Sequence, residues 1–172
     1  MNSNILESVS TMKTMATFSW DKKHRYCLKM EWDAKKKSCA ILMTYPSTAD
    51  ELILDQTTML TRNGAVRNNF GSISIVNVFS LIGTQTPKSD WQNASVILKE
   101  CSEADMILVA FGRNTAHTEQ KNDTLKLIRD YADKIYTILD KNGAPFSHPL
   151  SPKAREWNIV KLDVDQVLAG LE

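Results

Sequence analysis

Apolar and polar positions alternate in some stretches of the chain and recur at helical spacing in others, which predicts strands and helices in turn. Ile5, Val9, Met12 and Ala16 fall at helical spacing. That predicts an amphipathic helix near residues 3–16 within an N-terminal helical extension over 1–20. Tyr26, Leu28, Met30 and Trp32 alternate with Cys27, Lys29 and Glu31, the period of two of a half-buried strand near a sheet edge. Residues 33–37 are a polar, basic turn and 39–44 return as a strand, so the two strands read as a hairpin. Ile41, Leu42 and Met43 then run into the polar loop Tyr45-Pro46-Ser47-Thr48-Ala49-Asp50. Pro46 biases Tyr45 away from helix and cannot donate to a sheet ladder.

Asp55 is placed to N-cap a helix over 56–69. Gly64 inside it costs about 1 kcal/mol against Ala and marks a weak point or a break. Gly71 ends the helix. Ile73, Ile75, Val76, Val78 and Phe79 form a nearly continuous apolar run interrupted by Asn77, the mark of a strand covered on both faces. Ser89-Asp90-Trp91-Gln92 fits a capping box, and Ala94, Ile97, Leu98 and Cys101 give the following helix its buried stripe. Residues 105–112 are the clearest central strand. Leu125, Ile128 and Ala132 mark a helix over 114–132, and 135–139 read as the last strand. The segment 144–150 carries Pro145 and Pro149 and is irregular. Asp163 and Gln166 cap a short helix bearing Val167, Leu168 and Leu171. Strands alternating with helices predict a single α/β domain over 1–172: three layers, a mostly parallel central sheet, helices on both faces and a meander at the start.

Composition narrows the class only slightly. The 172 residues are 42% hydrophobic and 24% charged with a formal charge of +1, so nothing pulls the whole chain toward nucleic acid or an anionic membrane. No window approaches the ~20 apolar residues of a membrane span, and residues 1–16 lack a signal-peptide apolar core. Cys27, Cys39 and Cys101 have no metal-type spacing, so they read as reduced thiols, with Cys39 and Cys101 buried, and point to a cytoplasmic location. No metal or cofactor is expected.

Candidate chemistry follows from topology. In an α/β sheet, ligands bind at the carboxyl ends of the strands. If the strands ending near Thr44, Phe79 and Phe111 are parallel neighbours, their loops gather on one rim with the segment around His148. Tyr45, Ser47, Thr48, Asp50, Asn77, Thr84, Arg113, Asn114 and His148 then converge on one cleft. An amide such as Asn77 suits reading the edge of a nucleobase, His148 suits donating to developing charge, and the planar fork of Arg113 suits phosphate or carboxylate. Each has a plainer reading: Asn77 satisfying loop backbone, His148 pinning a turn, Ser47 and Thr48 as loop caps, Arg113 as a solvated side chain. Asp55 reads as a cap, Lys35-Lys36-Lys37 as a solvated turn, and His24 and His117 carry no assignment. There is no phosphate-binding P-loop, GxGxxG, Cys-x-x-Cys or GxSxG motif, which disfavours the chemistries that depend on them.

Tyr45-Pro46-Ser47-Thr48-Ala49-Asp50, Asp55-Gln56-Thr57, Val76-Asn77-Val78-Phe79, Gly83-Thr84 with Pro87, Phe111-Gly112, Gly143 and His148-Pro149-Leu150 resemble, in order, an uncharacterised bacterial and phage family, the domain of unknown function DUF1643. The resemblance spans roughly residues 25–150. That family usually has Asn where this chain has Tyr45, and Pro where it has Gln56. More distantly, a strand followed by x-Pro, a strand-end Asn and a His-Pro loop is similar to the uracil-DNA glycosylase superfamily. That likeness implies a glycosylase-like fold. It implies water positioning at Tyr45, base reading at Asn77, stabilisation of the departing base at His148 and a duplex wedge near Leu150. Hydrolysis of the N-glycosidic bond of a flipped-out nucleotide would follow, with Asp50 as a substitute for water activation, since a phenol is neutral at pH 7.

Three readings of function stay open at this point. The first is a nucleobase- or nucleotide-recognising protein that hydrolyses an N-glycosidic bond, and the second is a binding module that captures a nucleotide or nucleotide-derived signal. The third is a protein-interaction domain using the N-terminal helix, Trp20 and Trp32. The expected partner is a nucleotide, a nucleobase or nucleic acid; a homo-oligomer is compatible with all three.

Overall fold

The computed structural model describes residues 5–83 and 88–170. Among them seven strands form one sheet: β1 (Lys13–Phe18), β2 (Arg25–Glu31), β3 (Ser38–Met43), β4 (Ser72–Asn77), β5 (Met106–Val109), β6 (Ile135–Leu139) and β7 (Asn158–Lys161). The helices are α1 (Gln56–Arg67), α2 (Trp91–Glu103), α3 (Thr118–Leu127) and α4 (Val164–Ala169), with 3₁₀ turns at Arg129–Lys134 and Pro152–Ala154. The sheet order is β1-β2-β4-β3-β5-β6-β7. The inner strands β4, β3, β5 and β6 are parallel, whereas β1, β2 and β7 join antiparallel to their neighbours. The expected mostly parallel sheet is therefore a mixed one, with a parallel centre and antiparallel margins.

Period-two alternation sorts the strands onto two cores. On β3, Cys39, Ile41 and Met43 face one side with Leu28, Met30, Ile73 and Ile75, where Ala65 of α1 and Phe70 cover them. Ala40 and Leu42 face the other side with Val76, Ile107 and Val109, beneath Ile97 and Cys101 of α2, Leu125 of α3 and Val164 of α4. Helices thus cover both faces of a single α/β domain. Among the described residues no helix is long and apolar enough to cross a membrane, and all three cysteines are buried free thiols.

Several sequence expectations need correction. No helix forms over 5–16; residues 5–12 have no regular structure, and 13–18 are β1, while residues 3 and 4 lie outside the described residues. The helical spacing of Ile5, Val9 and Met12 has no core to face: Ile5, Leu6 and Val9 are exposed. Thr14, Thr17 and Phe18 favour a strand, and the open edge of β2 offers a ladder. The hairpin is accordingly β1–β2, closed by Ser19 N–H donating to the His24 carbonyl and His24 N–H donating to the Ser19 hydroxyl.

The expected hairpin of β2 and β3 does not form, because β4 lies between them. The connection over 32–37 crosses the start of β4 at Gly71, whose carbonyl accepts from Trp32 and Asp33 N–H and whose own N–H donates to Lys37. A Cβ at Gly71 would fall 1.9 Å from the Asp33 carbonyl oxygen, so only glycine permits this crossing.

The helix over 114–132 is shorter, with α3 running only Thr118–Leu127 before the 3₁₀ turn. The cap of α2 is Asp90, not Ser89; it accepts from Asn93 N–H, while Gln92 takes the hydroxyl of Tyr26. Strand β6 is not the last, since β7 adds to it antiparallel. Asp55 and Asp163 cap α1 and α4 as expected.

Candidate functional site

The connectivity places a switch point at β3 and β5. From β3 the chain passes through α1 to β4 on one side; from β5 it passes through α3 to β6 on the other. Loops leaving adjacent strands in opposite directions open a crevice between them. A cavity of about 260 Å³ lies there, lined by Thr44, Tyr45, Pro46, Ser47, Thr57, Phe111, Asn114, Ala116, Lys121 and His148.

The loop after β3 is held from below. Arg25 at the start of β2 is only 1% exposed. One terminal nitrogen donates to the Ala49 carbonyl at 2.6 Å and the Ser47 hydroxyl at 3.2 Å. Its other terminal nitrogen approaches the Asn77 Oδ1 at 3.5 Å. The amide nitrogen of Asn77 donates to the Tyr45 carbonyl at 2.7 Å. Burial lowers the affinity of Arg25 for its proton and Asp55 opposes that; a guanidinium keeps its charge regardless. Burial pushes the Asp55 carboxyl up, but the Thr58 N–H, the hydroxyls of Ser47 and Thr58 and the Arg25 charge together hold it below its usual value. Asp50 caps its own turn, accepting from Leu52 and Ile53 N–H at 2.8 and 2.7 Å, and these bonds keep its carboxyl low.

Tyr45 stands over this frame, 46% exposed. Its ring stacks on Phe79 at 5.6 Å between centroids and 19° between planes. His117 meets both rings edge-on, at 5.9 and 5.0 Å. Offset or edge-to-face aromatic contacts of this kind fix ring orientation.

The opposite wall comes from the turn after β6. Asp140 accepts from Asn142 and Ala144 N–H, Phe146 N–H donates to the Thr137 hydroxyl, and Ser147 N–H donates to Ile138. These bonds deliver His148 to the cavity. Its Nδ1 accepts from Leu150 N–H at 3.1 Å, so the neutral ring carries its proton on Nε2 as a donor. Burial holds its pKa below 6.5, against a weaker pull from Asp55.

Of the residues expected to converge, Tyr45, Ser47, Asn114 and His148 line the cavity. Asn77 lies under the loop as its support, and Asp50 is committed to its turn. Thr48 is exposed on the loop. Arg113 faces a neighbouring cavity and pairs with buried Asp140 at 2.9 Å. Thr84 lies outside the described residues. Sequence reasoning missed Arg25 and Lys121. Lys121 falls four residues before Leu125 on the buried stripe of α3, and that spacing was its signal. Arg25 carried none.

A family profile described as protein of unknown function (DUF1643) matches residues 25–150. The chain belongs to this family. No curated protein and no solved structure matches it. The DUF1643 stretch begins at the buried Arg25 and runs through His148, so both walls of the cavity and the network beneath its loop fall inside it.

Proposed function

We infer that this DUF1643 protein recognises a nucleobase or nucleotide at the β3–β5 switch point, in a pocket arranged like that of the uracil-DNA glycosylases. One observation carries the reading: a half-exposed ring braced from behind, Tyr45 on Phe79, shares a cavity with the His148 imidazole. A braced ring offers a stacking face that any base accepts, and the Nε2 donor fixes an edge. At about 260 Å³ the cavity lies below the ~300–1,000 Å³ of sites for drug-sized ligands, which suits a small planar molecule.

Capture of the ligand is better supported than hydrolysis of its N-glycosidic bond. Among the described residues no carboxylate lines the cavity. Asp50 is held by two main-chain donors, and the free nitrogen of neutral His148 is a donor rather than a base. In this chain Asn77 acts by placing Tyr45, and Leu150, 39% exposed, sits beside His148 at the rim.

A thermal-shift series over nucleobases, nucleosides and nucleotides tests the reading. A true ligand at 100 times its Kd stabilises by about 2.7 kcal/mol, and Tyr45→Ala should reduce the shift. No shift with any member would end the proposal. Release of free base from uracil-containing or modified DNA, abolished in His148→Ala, would instead make the protein a hydrolase.

The exposed Ile5, Leu6, Val9 and Trp20 favour a second reading, a contact surface for another protein. Trp32 is not part of it, because its indole N–H is engaged by the Phe70 carbonyl. Removing residues 1–12 leaves β1 intact. Unchanged oligomeric state and partner capture after that truncation would dismiss the surface.

A further inference from the structure

The cavity of the candidate site has a neighbour of about 350 Å³, and Phe111, Asn114 and Lys121 line both. Lys121 is 8% exposed, and its ammonium donates to the main-chain oxygen of Asn114 at 2.5 Å. An ammonium has three N–H donors and no acceptor, so one carbonyl leaves it under-satisfied. A buried charge is retained at a cost unless it meets opposite charge or several hydrogen bonds. Among the described residues no carboxylate lines either cavity; Arg113 there is already paired with Asp140 and His148 is a neutral ring, which leaves the Lys121 ammonium as the cation open to an anion. Burial lowers the Lys121 pKa.

We propose that Lys121 is the anchor for an anionic group of the ligand, so that the site takes a phosphorylated nucleoside in preference to a free base or nucleoside. The base stacks on Tyr45 in the first cavity, and its phosphate reaches Lys121 at the boundary with the second. A phosphate oxygen accepts a charge-assisted bond from the ammonium and neutralises it, which a bare nucleoside does not. The assignment rests on the nucleobase reading for the other half of the ligand, but the anion half has its own probe.

Three arms are measured by thermal shift and calorimetry on the full chain: inorganic phosphate, a nucleoside, and its 5′-monophosphate. The monophosphate should bind roughly tenfold or more tightly than the nucleoside, a factor that about 1.4 kcal/mol supplies. Phosphate alone should give a saturable shift. Lys121→Met should abolish the phosphate shift and bring the affinity of the monophosphate down to about that of the nucleoside. Equal affinities in the native protein, or equal losses for both ligands in Lys121→Met, would overturn the proposal while the nucleobase reading stands. A phosphate shift that needs Lys121 without any nucleoside binding would uphold the anion site and end the nucleobase reading. No response in any arm ends both. If Lys121→Met does not fold, phosphate titration of the native protein followed at the Lys121 ¹³Cε resonance decides instead. A saturable displacement supports the anchor, and a static resonance refutes it.

Discussion

The side-chain amide of Asn77 donates to the main-chain oxygen of Tyr45 across 2.7 Å, tying the end of β4 to the loop that follows β3. The Asn77 side chain is 1% exposed and its oxygen faces Arg25, so both ends of the amide are engaged within the protein. Asn77→Ala leaves the Tyr45 carbonyl and one terminal nitrogen of buried Arg25 without their amide partner and should cost about 1–3 kcal/mol of stability, read by urea denaturation. Ligand affinity should fall with it, because Tyr45 loses its support. Affinity lost at unchanged stability would mean that Asn77 touches the ligand itself.

The acid limb of the stability curve should depend on Asp55. Its carboxyl is held below 3.8 in the folded chain, so the unfolded chain binds protons first as pH falls. The contribution is complete above about pH 4 and is lost as pH drops through the depressed value. Asp55→Asn should flatten this limb in denaturation curves between pH 5 and 2, to the extent that other lowered carboxyls such as Asp140 and Asp105 do not carry it. An unchanged limb would remove Asp55 from the network. Arg25→Met should be worse at every pH, since it strips a donor from the buried Ala49 oxygen and from Asn77 at about 1–3 kcal/mol for each group orphaned.

The parallel centre of the sheet was legible because β3, β4 and β5 are covered on both faces, and such strands read as unbroken apolar runs. The helix caps Asp55 and Asp163 were legible because capping is local. The margins were not. β1 forms on the open edge of β2, with Thr14, Thr17 and Phe18 suited to a strand, and β7 on that of β6; the open edge does not lie in either segment's own residues. The pocket was legible as a set of loops, giving Tyr45, Ser47, Asn114 and His148. Asn77 was legible only as two alternatives, loop backbone or ligand, since both leave the same residue in the sequence, and the bond to the Tyr45 carbonyl is the first of them. Lys121 was passed over although its spacing from Leu125 puts it on the buried stripe of α3, because lysine is a residue type that is mostly exposed.

Gly64 lies inside α1, where Ala is ordinarily better by about 1 kcal/mol. Here a Cβ would fall 2.3 Å from Cε2 of Trp157, which packs on the same core. Overpacking costs about 1–3 kcal/mol, so Gly64→Ala should lower the melting temperature despite the gain in helix propensity. Gly64→Ala with Trp157→Leu should recover part of the loss. A stabilising Gly64→Ala would show that Trp157 does not rest on the helix.

His148 should make the protein less stable below neutral pH. Its folded pKa lies below 6.5 because of burial, so between the two values the unfolded state binds more protons. Stability is then complete above about 6.5 and declines as pH falls toward the folded value. Protonation also sets a proton on Nδ1 against the Leu150 N–H. The decline should be absent in His148→Ala, and an NMR titration of the imidazole should show a midpoint below 6.5. A midpoint above it would mean that a carboxylate, not burial, governs the ring.

Ligand affinity should follow the ring at position 45 rather than its hydroxyl. Tyr45 and Phe79 are stacked with 19° between planes, so the ring of Tyr45, which lines the cavity, is held at a fixed tilt. Tyr45→Phe keeps that ring and should bind within about twofold of the native protein, because base–aromatic stacking draws on the π-surface. Tyr45→Ala removes it and should cost about 1–3 kcal/mol of binding, with a folding loss nearer the ~0.5–1.5 kcal/mol of one aromatic pair. Phe79→Ala removes only the brace, so its binding loss should be smaller and its folding loss larger, Phe79 being buried. Calorimetry on the three variants separates the two effects. Should Tyr45→Phe bind as poorly as Tyr45→Ala, the hydroxyl would be the contact and stacking would not describe the site.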